Sequence, residues 1–170
     1  MTTAPDPSML ALPDGLIVVA KRDCPTCVLI EPLLHCLASG GDPLAVYVQD
    51  DDRYAAGVPG VVLDATLERS YRLGIEFVPT LIRMAGGREV ARTYGWHRGD
   101  WQQISGQSDL GASLPEMRPG CGSKTLDPGI AEDLQLRFGE PVWRHATPRW
   151  ASLKTRWRPA LTAAGPTACQ

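Results

Sequence analysis

The sequence lacks the segments that would carry a chain into or across a membrane. Its longest apolar runs are only a few residues, far short of the ~20 that a transmembrane helix needs. The first 13 residues have neither the basic start nor the apolar stretch of a signal peptide. We therefore expect a cytoplasmic protein that makes no contact with a membrane.

A strong surplus of one charge is also absent. The net charge is −2 over 170 residues, so the chain does not have the basic character of a nucleic-acid-binding protein. The charge is nevertheless unevenly distributed. Residues 1–109 contain nine Lys and Arg against fourteen Asp and Glu, whereas residues 110–170 contain eight against five. This shift predicts two regions with different surroundings, and nucleic acid is not an expected partner.

Cysteines are too few and too scattered for a secreted, disulfide-stapled scaffold, which normally has a dense and even set. The chain has five, at positions 24, 27, 36, 121 and 169. Cys24 and Cys27 form a Cys-x-x-Cys motif. Half of a zinc site is the alternative interpretation of such a pair, but zinc needs four ligands. The neighbouring His35 and Cys36 lie too far along the same predicted helix, so we expect no metal.

The hydrophobic pattern predicts an α/β arrangement. A continuous apolar run after a Pro-Asp-Gly turn indicates a buried strand, and roughly helical spacing follows the cysteine pair. Glycine pairs and Asp-rich stretches separate the elements, and Asp64 is the predicted N-cap of the second helix. The predicted strands cover 15–20, 44–48, 76–84 and 88–94, and the predicted helices cover 24–38, 65–73, 96–105 and 127–138.

The order of these features resembles a thioredoxin-like domain. A strand leads to Cys24-Pro25-Thr26-Cys27 at a helix start, and Val78-Pro79-Thr80 and a Gly86-Gly87 hairpin follow. The resemblance covers residues 14–106, and it implies a three-layer sandwich with a mixed sheet flanked by helices. Residues 1–13 would be an N-terminal arm. Residues 107–170 would be a C-terminal extension with a short helix at 127–138 and a basic, Trp-containing tail.

The position of the pair predicts its chemistry. Free backbone N–H groups and the helix dipole favour an anion at a helix start, so the Cys24 thiolate should form easily. Cys24 would attack a substrate disulfide, and Cys27 would resolve the mixed disulfide. The function expected is thiol–disulfide exchange that reduces protein disulfides. It requires no cofactor, but it does require an upstream thiol reductase.

The resemblance also implies supporting roles. Pro25 and Thr26 separate the two cysteines, and Pro79 matches the cis-proline of the family. The backbone of Val78 would then pair with an extended segment of the substrate.

Three departures from the family pattern leave the direction of electron flow open, and the first is that Pro25-Thr26 stands where the reductive thioredoxins have Gly-Pro. Asp23 stands where many thioredoxins have an aromatic residue, and Val18 stands where they have a buried acid. An anion at Asp23 would disfavour the Cys24 thiolate. A second hypothesis is therefore a non-enzymatic adaptor that binds a protein partner through the extension. The tail tryptophans Trp143, Trp150 and Trp157 would contact that partner or, as we prefer, cover their own domain.

Cys121 lies between two glycines, in a segment that superficially resembles a phosphate-binding loop. The phosphate-loop pattern would need glycine at Arg118 and Ser123, so it fails. Flanking glycines would let Cys121 approach another sulfur closely. Two interpretations stay open: an additional redox thiol that relays electrons to or from Cys24, and a loop cysteine in a tight turn. The second is favoured, because flexible flanks alone do not lower a pKa.

Overall fold

The computed structural model describes residues 12–139 of the chain. Its strands are β1 (Gly15–Ala20), β2 (Leu44–Val48), β3 (Val61–Leu63), β4 (Phe77–Val78), β5 (Thr80–Ala85), β6 (Arg88–Tyr94), β7 (Trp96–His97), β8 (Met117–Arg118) and β9 (Cys121–Gly122). Its helices are α1 (Pro25–Ser39), α2 (Glu68–Arg72), α3 (Arg98–Ser105) and α4 (Pro128–Phe138). The predictions for the arm before residue 12 and for the Trp-containing tail lie outside the described residues.

A mixed five-stranded sheet forms the centre of the fold, in the order β3-β2-β1-β5-β6. Strand β1 runs parallel to β2 and antiparallel to β5. All six residues of β1 are buried, as expected for a central strand that is covered on both faces. The protein is therefore a mixed α/β protein with a mixed sheet and, in the described part, four α-helices.

Helix α1 packs on this sheet and presents the cysteine pair. Pro25 occupies its first turn, where a missing N–H costs nothing. Ile30, Leu34 and Leu37 are fully buried in the core. The helix predicted over 24–38 is thus confirmed to within one residue at each end, and Cys24 is its N-cap. The strands predicted over 15–20, 44–48 and 88–94 are confirmed as well.

Three predicted elements differ from the structure. The helix predicted over 65–73 is confined to α2, and its N-cap is Leu67. Asp64 is buried and lies before the N-cap position, but its carboxylate still accepts first-turn N–H groups of α2, those of Arg69 and Ser70, and also the Ser70 hydroxyl. The strand predicted over 76–84 is divided by Pro79 into β4 and β5. The helix predicted over 96–105 begins only at Arg98, because the two residues before it pair with β8.

The part of the chain that follows α3 folds back onto the core around the five-stranded sheet. The indole N–H of Trp96 donates to the Pro115 carbonyl at 2.6 Å, and Leu110 is buried in the main core. Strand β7 pairs with β8, and β4 pairs with β9, both antiparallel. Helix α4 packs separately, with Leu134 buried against Leu67 and Tyr71. Within residues 12–139, no helix combines the length and the apolar character that crossing a bilayer requires.

A buried glutamine forms hydrogen bonds that link the C-terminal extension to the rest of the fold. Gln49 follows β2 and is only 3% exposed. Its amide nitrogen donates to the hydroxyls of Ser70 at 3.0 Å and Ser123 at 2.8 Å. Its amide oxygen accepts from the backbone N–H of Lys124 at 3.0 Å. Every hydrogen-bonding atom of this side chain thus contacts either α2 or the extension.

Replacing Gln49 by leucine is expected to lower the free energy of unfolding by about 1–3 kcal/mol, since it leaves the partly buried Lys124 N–H without its acceptor. Ser70 and Ser123 keep their other partners, which limits the cost. Denaturant unfolding measures the change. Gln103→Leu, the same substitution on the exposed surface of α3, is the control. Equal effects of the two substitutions would contradict the anchoring role of Gln49.

Candidate active site at the start of helix α1

Cys24 caps helix α1 with its own sulfur. The residue has an extended backbone, with φ −159° and ψ 113°, and its Sγ accepts the backbone N–H of Cys27 at 3.3 Å. Thiolates are strong acceptors at such positions, because the first N–H groups of a helix have no partner within the helix. Both cysteines are free thiols and almost fully buried.

These contacts lower the pKa of Cys24 to about 5. The largest cause is the hydrogen bond from the Cys27 thiol. Burial opposes it, and the Cys121 thiol and the backbone N–H groups of Cys27 and Thr26 add to it. The same surroundings raise the pKa of Cys27, chiefly through burial and then through its hydrogen bond to Cys24. One thiol of the pair is therefore set up as a nucleophile and the other as a proton-bearing partner.

The loop that leads into Cys24 is held by a residue that the sequence analysis did not single out. The carboxylate of Asp50 accepts the backbone N–H groups of Arg22 at 2.7 Å and of Asp23 at 2.9 Å. The Asp23 side chain remains exposed. The Arg22 guanidinium lies 3.4 Å from the carboxylate of Asp51. In the sequence, Asp50 belongs to a run of three aspartates after β2. That run indicated the end of a strand but not a role for Asp50 beside Cys24.

The predicted substrate-binding residues lie beside Cys24. The Val78–Pro79 peptide bond is cis, and the Cys24 thiol reaches the Val78 carbonyl at 3.6 Å. Thr26 is buried, and its hydroxyl donates to the Pro119 carbonyl at 2.5 Å. Pro25 is exposed. The structure therefore brings together the cysteine pair, Thr26 and Val78.

Cys121 joins this group from the extension. It lies in β9 and is paired with Val78, and its thiol forms a hydrogen bond with that of Cys24. Burial raises the pKa of Cys121, and the hydrogen bond to Cys24 adds to this effect. The positive charge of Lys21 acts in the opposite direction. The Cys24 thiol therefore interacts with two others, that of Cys27 and that of Cys121.

The other side chains that could ligate a metal lie elsewhere in the fold or already form hydrogen bonds. In the described part of the chain, no three His, Cys, Asp or Glu side chains are grouped so that they could hold a metal ion. The His97 ring caps helix α3 by accepting the backbone N–H of Asp100 at 3.3 Å. His97 is therefore engaged at the start of α3.

Comparison of the sequence with models of known protein families, and with curated proteins, finds no match.

Proposed function

We propose that this chain is a thioredoxin-like thiol–disulfide oxidoreductase that reduces disulfides of proteins in the cytoplasm. The observation that carries the proposal is a cysteine sulfur that caps a helix start and accepts the Cys27 backbone N–H, one turn from a second thiol. The strand order, with β1 parallel to β2 and antiparallel to β5, supports the thioredoxin-like assignment.

The reaction divides between the two cysteines. The Cys24 thiolate attacks one sulfur of a substrate disulfide, forms a mixed disulfide and releases the first substrate thiolate, which takes up a proton. A second thiol then loses its proton and attacks the Cys24 sulfur. With Cys27 as that thiol, a Cys24–Cys27 disulfide forms and the second substrate thiol leaves. Two electrons pass to the substrate, and an upstream thiol reductase restores the pair.

An insulin-reduction assay with dithiothreitol tests the proposal. Wild-type protein is expected to accelerate reduction, whereas Cys24→Ser should lose all acceleration because it lacks the attacking sulfur. Val28→Ala is the matched control, since Val28 lies one helical turn after Cys24 and is 47% exposed. Full activity of Cys24→Ser would contradict the assignment of the nucleophile.

The second candidate function is a non-enzymatic adaptor that binds a protein partner through the extension. One observation favours it: Cys24 is only 1% exposed, so its sulfur must become more exposed before a substrate disulfide can reach it. Inactivity of both wild type and Cys24→Ser towards insulin would select the adaptor if the cysteines were also inert towards oxidised glutathione.

A further inference from the structure

The segment 119–123, here called the docking segment, occupies the backbone edge beside the cis-proline. Its strand β9 pairs antiparallel with β4, with Cys121 opposite Val78. Pairing along such an edge is a general way to recognise an extended peptide. The protein thus holds a piece of its own chain where an extended substrate segment would be expected to bind.

Three hydrogen bonds from separate parts of the domain hold the docking segment in place. The Thr26 hydroxyl donates to Pro119, and the Lys21 ammonium group donates to the Gly122 carbonyl at 2.9 Å. The Ser123 N–H donates to the Glu76 carbonyl at 2.9 Å. These contacts involve helix α1, the chain after β1 and the chain before β4, so they determine both the position and the direction of the segment.

The close approach depends on a glycine. A Cβ atom at Gly120 would lie 2.6 Å from the Val78 carbonyl oxygen and 3.2 Å from the Gly95 Cα. Both neighbours are backbone atoms and cannot rotate away. Any larger residue at position 120 would therefore push the docking segment, and Cys121 with it, away from the Cys24 sulfur.

Cys27 is poorly suited to lose a proton where it lies. Its thiol is fully buried, and the equivalent position of the family's buried acid is Val18, which is also fully buried. Cys121 is only half-buried; burial and its hydrogen bond to Cys24 raise the pKa of its thiol, and the Lys21 charge opposes them. Since thiol–disulfide exchange requires a thiolate, Cys121 is the better placed of the two to attack a disulfide at Cys24.

We propose that Cys121 is a resolving thiol of this site, which the docking segment delivers to Cys24. The proposal rests on the proposed oxidoreductase function and assigns the second step of its reaction. The substrate disulfide is the oxidant. Once Cys24 is joined to a substrate sulfur, the Cys121 thiolate attacks the Cys24 sulfur and forms a Cys24–Cys121 disulfide. The bond to the substrate breaks, and the substrate thiolate takes up the proton that Cys121 released.

The test uses the full chain with Cys27→Ser, so that Cys27 cannot resolve, and oxidised glutathione as the disulfide. Intact mass spectrometry should show an intramolecular disulfide and no lasting glutathione adduct at Cys24. Cys27→Ser/Cys121→Ser should keep the adduct. Trypsin locates the bond, because Cys24 falls in peptide 23–53 and Cys121 in peptide 99–124. These peptides should be linked in Cys27→Ser and not in Cys24→Ser.

A second variant tests whether the position of the docking segment affects the rate at which Cys121 resolves the adduct. Gly120→Ala in the Cys27→Ser background retains every reacting sulfur but displaces the docking segment. We expect it to slow resolution of the glutathione adduct by at least about tenfold, because the effective concentration of Cys121 near Cys24 falls. Gly129→Ala, where a Cβ would meet open space, should resolve at the rate of the Cys27→Ser parent.

The outcomes distinguish the two proposals. An adduct in Cys27→Ser that persists as long as in the double variant overturns the role of Cys121. If Cys121→Ser meanwhile forms a Cys24–Cys27 disulfide, the proposed oxidoreductase function stands without it. If Cys24 forms neither an adduct nor a disulfide in any variant, both proposals fail.

Discussion

The Cys24 thiol of the reduced protein is expected to titrate with a pKa of about 5, well below the ~8.5 of a free cysteine. At neutral pH almost all of the protein would then carry the thiolate. The physical reason is the convergence of thiol and backbone donors on one sulfur, which outweighs the cost of burial. Ultraviolet absorbance of the thiolate measures the titration, and Cys24→Ser should lack this step.

The same pKa predicts how stability depends on pH. A folded-state pKa below the unfolded value stabilises the reduced protein in full above pH ~8.5, and that contribution is lost as the pH falls towards 5. The raised pKa of Cys27 acts in the opposite direction, so its contribution is lost above pH ~8.5. The difference in free energy of unfolding between wild type and Cys24→Ser should therefore grow from pH 5 to ~8.5.

Cys121→Ala provides a control for the titration, since it removes one of the three sulfurs but leaves the helix start intact. It should raise the pKa of Cys24 without restoring the value of a free thiol, because the larger contribution of Cys27 remains. A Cys24 titration near pH 8.5 in wild type would contradict both the geometry of the helix start and the proposed nucleophile.

Trp96→Ala is expected to lower the free energy of unfolding by about 3–5 kcal/mol, as large-to-small substitutions of buried aromatic residues do. Trp96 is fully buried, and its ring centroid lies 5.5 Å from that of Trp101. Gly111 lies so close that any Cβ there would meet the Trp96 ring. The substitution would remove the surface on which the chain after α3 packs, and denaturant unfolding would measure the loss.

Phe77→Ala is the control for this substitution, because Phe77 is 46% exposed and its truncation should cost less than about 1 kcal/mol. The loss of unfolding free energy in Trp96→Phe should fall between those of Trp96→Ala and Phe77→Ala. Phenylalanine keeps an aromatic ring but loses the hydrogen bond to Pro115. Similar costs for Trp96→Ala and Phe77→Ala would show that the Trp96 contact does not stabilise the docked extension.

The local sequence pattern was sufficient to predict those strands, helices and turns that depend mainly on neighbouring residues. The apolar run of β1, the helical spacing after Cys24 and the Gly86-Gly87 turn each predict an element that the structure contains. Prediction was wrong where distant chain competes with local preference. Trp96 follows a strand and precedes a helix, and it joins β7 only because Arg118 pairs with it. Asp64 does accept the first-turn N–H groups of Arg69 and Ser70 in α2, but Leu67 occupies the N-cap position, so only the start of the helix was predicted wrongly.

The sequence by itself determined the cysteine pair at a helix start, because a strand, a Pro in the first helical turn and helical periodicity are all local features. Only the tertiary structure decided that Cys121 meets Cys24. That meeting depends on the pairing of β9 with β4, on the hydrogen bonds of Gln49 to the extension, and on the close backbone approach at Gly120. Each is a contact between residues far apart in the chain. The glycines that flank Cys121 indicate that it could approach another sulfur, but they do not identify which one.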